Sequence, residues 1–146
     1  MKVLLQRVQS ASVQVDGQII GKIGPGLLLF LGVGKTDTAK QAHFLAEKVA
    51  NLRIFTDSNE KMNCSLKELN LEALVISQFT LYANCTSGRR PDFLEAAPPQ
   101  VAEPLYLEFI NALEKQIGSS CERGVFGAKM SVHLVNDGPV TLMIEN

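Results

Sequence analysis

Apolar and polar positions alternate through Lys2–Val8 and again through Ser12–Val15, the period of a half-buried strand. Asp16-Gly17, a favoured two-residue hairpin turn, leads on into Gln18–Ile23, so the chain opens with an antiparallel hairpin. Gly24-Pro25-Gly26 breaks the chain there. From Leu27 to Val33 the alternation disappears and every residue except Gly32 is apolar. Such a run predicts a strand buried on both faces. The period then lengthens: Ala42, Leu45, Ala46 and Val49, with Leu52 beyond, follow the i, i+3, i+4, i+7 stripe of a helix over about Thr38 to Leu52. Thr36 or Asp37 supplies a cap.

Arg53–Phe55 has short-strand character, Thr56–Asn63 is a polar loop, and Glu72–Thr80 is another largely buried strand. Ala83–Pro99 is irregular, rich in Pro, Gly, Asn and Ser. A second helix covers about Val101 to Gln116, with Leu105, Phe109, Ala112, Leu113 and Gln116 on one side. Pro104 lacks an N–H and fits only a first turn, so that helix starts late or bends there. Met130, Val132 and Leu134 alternate with Ser131 and His133 in a strand, and Val140–Ile144 forms the last one. Asn136-Asp137-Gly138-Pro139 between them is strong turn chemistry, and a plain hairpin would explain it. There is no repeat, linker or low-complexity tract, which predicts one domain over residues 1–146. The order implies a mixed α/β fold, with mixed or antiparallel sheets in layers and two main helices on one face.

Composition narrows the function classes. Hydrophobic residues make up 46 % and charged ones 20 %, as in globular domains. A net charge of -1 argues against a general electrostatic binder of nucleic acid, so RNA contact falls to a local patch. Arg7, Lys35, Lys61 and the Arg89-Arg90 pair are the candidates. Cys64, Cys85 and Cys121 are odd in number and lack CxxC spacing, which reads as reduced thiols rather than a zinc site or disulfide framework. No segment approaches the roughly 18 apolar residues of a membrane helix. These features together predict a cytoplasmic protein without membrane association, metal or cofactor.

Chemistry is sparse. Gly32-Val33-Gly34-Lys35-Thr36 sits between a strand and a helix, where a phosphate loop belongs. The full motif needs a glycine where Leu29 stands, so the stretch reads better as strand-to-helix punctuation. His43 lies on the first helix, and His133 on the polar phase of its strand, able to face a cleft; neither has a nucleophile motif nearby. Ser77-Gln78-Phe79-Thr80 closes an apolar strand with two hydroxyls, an amide and backbone N–H groups able to serve a developing oxyanion. No base stands near it in sequence, and from these residues alone a strand end with satisfied hydroxyls is the favoured reading. Gly138-Pro139 is a trans bond by default, whereas a cis bond would turn rigid carbonyls outward and suit the exclusion of one enantiomer.

Gln6-Arg7-Val8, Ser77-Gln78-Phe79-Thr80-Leu81, Arg90-Pro91-Asp92-Phe93, Gly124-Val125-Phe126-Gly127-Ala128-Lys129-Met130 and Asn136-Asp137-Gly138-Pro139-Val140-Thr141 follow one another over essentially the full chain. In that order they resemble the D-aminoacyl-tRNA deacylases of the bacterial and eukaryotic type. The resemblance implies an esterase that frees tRNA from a D-amino acid or glycine at its acceptor end and spares L-aminoacyl-tRNA. It implies a homodimer in which Gly138 and a cis Pro139 reach into the partner's pocket and reject the L-side chain. Ser77, Gln78, Phe79 and Leu81 would shape the pocket, Phe126 and Met130 would line it, and Asn136 would brace the turn. Ser77, Gln78 and Thr80 are the catalytic candidates: either Thr80 is the nucleophile, or the protein positions the ester while the ribose 2′-OH assists and water attacks. Arg7, Arg89 and Arg90 are candidate tRNA contacts. Two rivals are a non-catalytic module binding tRNA ends in the same pocket, and a nucleotide hydrolase using Gly32–Thr36.

Overall fold

The structure, a computed structural model, describes residues 1–146. The two alternating segments at its start form one strand, β1 (Lys2–Val15). The strand bends where its buried phase slips, from Val3, Leu5 and Arg7 to Val8 and then to Ala11 and Val13. Asp16 and Gly17 turn at φ 49° and 78°, as a two-residue hairpin requires. There follow β2 (Gln18–Ile23), β3 (Gly26–Gly32), α1 (Ala39–Asn51), β4 (Phe55–Thr56), β5 (Met62–Cys64), β6 (Glu72–Ser77), a 3₁₀ turn (Phe79–Tyr82), α2 (Pro99–Ile117), β7 (Glu122–Arg123) and β8 (Ser131–Glu145).

Three expectations at element ends need correction. Thr38, rather than Thr36 or Asp37, caps α1, accepting from Lys40 N while Gln41 reaches back to the Thr38 N–H. Asp37 is engaged elsewhere, taking the Met1 ammonium and the Gly34 N–H. β6 stops at Ser77, because Gln78 donates its N–H to Leu31 O at 2.8 Å and the chain then tightens into the 3₁₀ turn. In α2, Pro99 takes the first helical position, so Pro104 is the sixth residue and lies past the first turn. The bond it forfeits would have reached Gln100 O, and Gln100 is exposed, so water can serve that carbonyl. Phe109 and Leu113 are buried as expected, joined by Ala102, Tyr106, Ile110 and Ile117, whereas Leu105, Ala112 and Gln116 flank the stripe.

β1 organises the sheet. One of its edges pairs antiparallel with β3 over Lys2–Val8 and with β2 over Ala11–Val15, and its other edge pairs with β8. β3 continues in parallel to β6, and β6 to β7. Leu27, Leu29, Leu31, Ala73 and Val75 face a large core roofed by α1 and α2. Leu28, Leu74 and Ile76 face a smaller one with Val8, Ala11, Val13 and Ile23. The sheet curls around this second core until β2 meets β7: a Cβ at Gly21 would lie 3.1 Å from Arg123 O. The continuous apolar run of β3 therefore reflects burial on both faces, and the fold is the expected mixed sheet with two helices on one face.

The C-terminal hairpin does not form. Asn136-Asp137-Gly138-Pro139 lies inside β8, and the segments on both sides of it pair with β1. Thr141 pairs with Gln6 and Asn136 with Val8, so Asp137 to Val140 stand against Arg7 alone and must bulge out of the ladder. Asn136 Nδ2 donates to Arg7 O at 2.9 Å and to Val140 O at 3.1 Å, closing the neck of the bulge. Arg7, only 7 % exposed, donates Nη1 to Ile54 O. Its Nε lies 2.7 Å from Asp137 Oδ2, a close ion pair without the direction of a hydrogen bond. Turn residues thus serve a protrusion rather than a reversal. Asn136→Ala would leave two carbonyls without their donor and is expected to cost about 1–3 kcal/mol. Urea denaturation measures this, and Asn136→Asp, which cannot donate, should lose a similar amount.

Candidate functional site

β3 and β6 end side by side, with Leu31 paired to Ser77. Parallel strands commonly present ligand sites just beyond their carboxyl ends. A pocket of about 580 Å³ opens there, and 13 of its 17 lining residues are hydrophobic. Leu31, Val33, Ile76 and Ser77 form its strand-end wall, Gln78 and Phe79 come from the link into the 3₁₀ turn, and Phe126, Gly127, Ala128, Met130 and Val132 cross the far side. Phe93, Ala97, Pro99, Ala102 and Tyr106 enter from the start of α2 and the segment before it. Phe79 and Phe93 meet edge to face at 5.1 Å, with Phe79 exposed, while Tyr106 and Phe126 pack at 5.8 Å.

No Asp, Glu, His, Lys or Arg lines this pocket. Its one titratable group is Tyr106, whose phenol burial pushes up to about 12 and whose hydroxyl donates to Val75 O at 2.9 Å. Tyr106 is therefore neutral and already engaged at physiological pH. Gln78 Nε2 donates to Thr80 Oγ1, tying amide to hydroxyl. A donor in that position cannot take the Thr80 proton, so the contact orients the hydroxyl without activating it. The 3₁₀ turn has no side-chain cap, and its first N–H groups have no partner within the turn. They are fixed dipoles of the kind that stabilise an oxyanion. No group of three or more His, Cys, Asp or Glu side chains is placed to hold a metal ion.

Of the residues selected from sequence, Ser77, Gln78, Phe79, Phe126 and Met130 line the pocket. Thr80 and Leu81 lie in the turn behind Phe79, outside the lining. Asn136, Gly138 and Pro139 are on the β8 bulge, apart from this pocket, and the Gly138-Pro139 bond is cis. Arg89 and Arg90 are exposed on the loop leading to Phe93. Arg7 is not exposed, because the bulge and Ile54 occupy its guanidinium. His43 pairs with Glu108 across α1 and α2, and His133 sits in a small depression with Ser10, Ser12 and Lys22. The contribution of α2 escaped sequence reasoning; the small residues Ala96, Ala97 and Ala102 beside Tyr106 were the one available signal. A depression of about 660 Å³ at the α2 C-terminus has no hydrophobic wall and is remote from the strand ends.

The family model described as D-Tyr-tRNA(Tyr) deacylase matches residues 4–145. The D-aminoacyl-tRNA deacylase of Thermosipho africanus is 53 % identical over 146 residues, covering 100 % of this chain and 97 % of that protein. That of Roseiflexus castenholzii is 54 % identical, covering 100 % and 92 %. Among solved structures, the c-Myc DNA Unwinding Element Binding Protein superposes with a TM-score of 0.93 at 40 % identity, covering 100 % of this chain and 99 % of that one. A probable eukaryotic D-amino acid tRNA deacylase shares the fold, with a TM-score of 0.85 at 20 % identity over 98 % of this chain and 97 % of that one. A match running through both the pocket segments and the β8 bulge means that this chain belongs to the D-Tyr-tRNA(Tyr) deacylase family.

Proposed function

We propose that this protein hydrolyses the ester between a D-amino acid, or glycine, and the terminal ribose of tRNA, releasing both and sparing L-aminoacyl-tRNA. The observation that carries the reading is an apolar pocket at the carboxyl ends of β3 and β6 with no acid, base or activated nucleophile in its wall, in a chain matched to this family almost end to end. Such a pocket suits a flat, uncharged terminal nucleoside, and the phosphates stay outside. Arg89 and Arg90, exposed on the loop that leads to Phe93 in the pocket wall, are suited to contact them.

Catalysis in this reading is positional. Ser77, Gln78 and Phe79 shape the space for the ester, with Leu81 backing them from the turn, and the N–H groups that open the 3₁₀ turn support the developing oxyanion. The ribose 2′-OH assists, and water attacks the carbonyl. Thr80 orients through Gln78 and does not attack, which fits a hydroxyl that receives a proton donor and has no base.

Chirality requires a second copy. Gly138 and Pro139 protrude from β8, whose outer edge is unpaired and whose Val135, Leu142 and Met143 are exposed. In a homodimer the bulge of each subunit enters the other's pocket, where its carbonyls crowd an L-side chain. Selection by exclusion reads the D-side chain loosely, so many D-amino acids are accepted. An enzyme of tRNA editing works in the cytoplasm, and no helix here is long and apolar enough to cross a membrane.

Purified protein is expected to deacylate D-tyrosyl-tRNA rapidly and L-tyrosyl-tRNA no faster than buffer; equal loss of both would remove the stereochemical role of the bulge. Turnover of neither, with tight binding of aminoacyl-tRNA, would favour the binding module. Thr80→Ala should keep kcat within about tenfold of wild type, since orientation and oxyanion support remain. Near-complete loss with intact binding would instead make Thr80 the nucleophile. Light scattering should give twice the chain mass.

A further inference from the structure

Gly32 and Gly34 belong to the stretch that fails as a phosphate loop, yet a Cβ at Gly34 would force its neighbour to move and one at Gly32 would be tightly crowded. A Cβ at Gly34 would lie 2.7 Å from Tyr82 Oη and 2.8 Å from Tyr82 Cζ. One at Gly32 would lie 3.0 Å from Gln78 O, 3.1 Å from Leu81 Cβ and 3.3 Å from the Tyr82 ring. Every obstructing atom belongs to the 3₁₀ turn or to the residue that opens it. Neither glycine has a positive φ, so the requirement is for space and not for an unusual backbone.

The turn depends on this cradle because little else holds it. None of its four residues is buried and it has no side-chain cap. Its anchor is Tyr82, whose ring lies against Gly34 and whose hydroxyl donates to Asp37 Oδ2 at 3.3 Å. The same carboxylate oxygen accepts the Gly34 N–H at 2.6 Å, and its other oxygen takes the Met1 ammonium. The Lys2 ammonium stands 4.9 Å over the Tyr82 ring. Partial burial, and then the charge of Asp37, raise the Tyr82 pKa above its ordinary value, so the phenol keeps the proton it donates.

We propose that Gly34 and Asp37 are positioning residues for the deacylation: they seat Tyr82, and through it hold the 3₁₀ turn that presents Phe79 and its N–H groups to the pocket. The inference rests on the deacylase reading. It assigns the glycine-rich stretch a mechanical task at the active site, with no nucleotide involved. A displacement of the turn by the width of a methyl group moves the groups that meet the reacting ester while the rest of the tRNA surface is unchanged. The effect therefore belongs in kcat.

The test is steady-state hydrolysis of D-tyrosyl-tRNA by wild type, Gly34→Ala, Tyr82→Ala and the double variant, with melting curves to establish folding. Gly34→Ala is expected to lower kcat by about tenfold or more and to change KM by less than about threefold. Tyr82→Ala should lower kcat comparably, and the double variant should be no worse than Tyr82→Ala within about twofold, because the added methyl then occupies space the ring has left. Losses that multiply in the double variant, or a folded Gly34→Ala enzyme within twofold of wild-type kcat, would overturn the proposal. Should Gly34→Ala not fold, Tyr82→Phe and Asp37→Asn carry the test. Each should lower kcat by about threefold or more with KM held, and unchanged kcat in both would sink the idea. An inactive wild type would count against the deacylase reading itself, a result distinct from all of these.

Discussion

The parallel pairing of β3 with β6 is the constraint from which the rest of this structure follows. Both strands are covered on both faces, with Leu27, Leu28, Leu29 and Leu74 at 0 % exposure. Between Leu27 and Leu31, and between Ala73 and Ile76, nothing polar can be accommodated without an unmet desolvation cost. Beyond the exposed Glu72 at the start of β6, polar groups return only where the strands stop, at Ser77 and Gln78 opposite Leu31. The helices that roof one face and the curled sheet that closes the other leave the strand ends as the place where a cavity can open. The pocket lies at that seam, drawing Tyr106 from the helical side and Met130 from the sheet side.

β1 imposes a second order on the molecule. It is long enough to be paired on one edge by two strands and on the other by β8 from Lys2 to Gln14, with breaks at Arg7 and Gln9. The bend at Arg7 and Val8 is where β8 accumulates surplus residues and bulges. Arg7 is buried at that point, and its charge is met by Asp137 and by the Ile54 carbonyl. A buried arginine is tolerable only with such partners, so the guanidinium and the bulge specify each other's position.

The absence of charge in the pocket shapes its chemistry. In the proposed mechanism a pocket without a general base in its wall relies on orientation and on fixed dipoles, and both demand a rigid frame. Phe79, packed edge to face on Phe93, and the 3₁₀ turn seated on Gly32 and Gly34 are that frame. Rigidity here comes from close backbone approach rather than from bulk. On the proposed reading, Gly32 at the end of β3 and Gly34 just beyond it belong to that frame together with the aromatic side chains they face.

Periodicity in the sequence was enough to place both helices, the Asp16-Gly17 hairpin and the doubly buried β3, because burial and turn geometry act locally on the residues that carry them. The Ser77–Thr80 segment was likewise legible as the polar end of an apolar strand, since hydroxyls and an amide following such a run are a local signal. Long-range pairing decided the remainder. Turn chemistry at Asn136–Pro139 permits a reversal or a bulge with equal ease, and only the pairing of both flanks with β1 selects the bulge. Arg7 reads as a surface cation until the fold surrounds it, and Pro104 reads as a helix start until Pro99 takes that place. The closeness of Gly34 to Tyr82 spans 48 positions of chain and has no local signature; it exists only because β3 and β6 lie side by side.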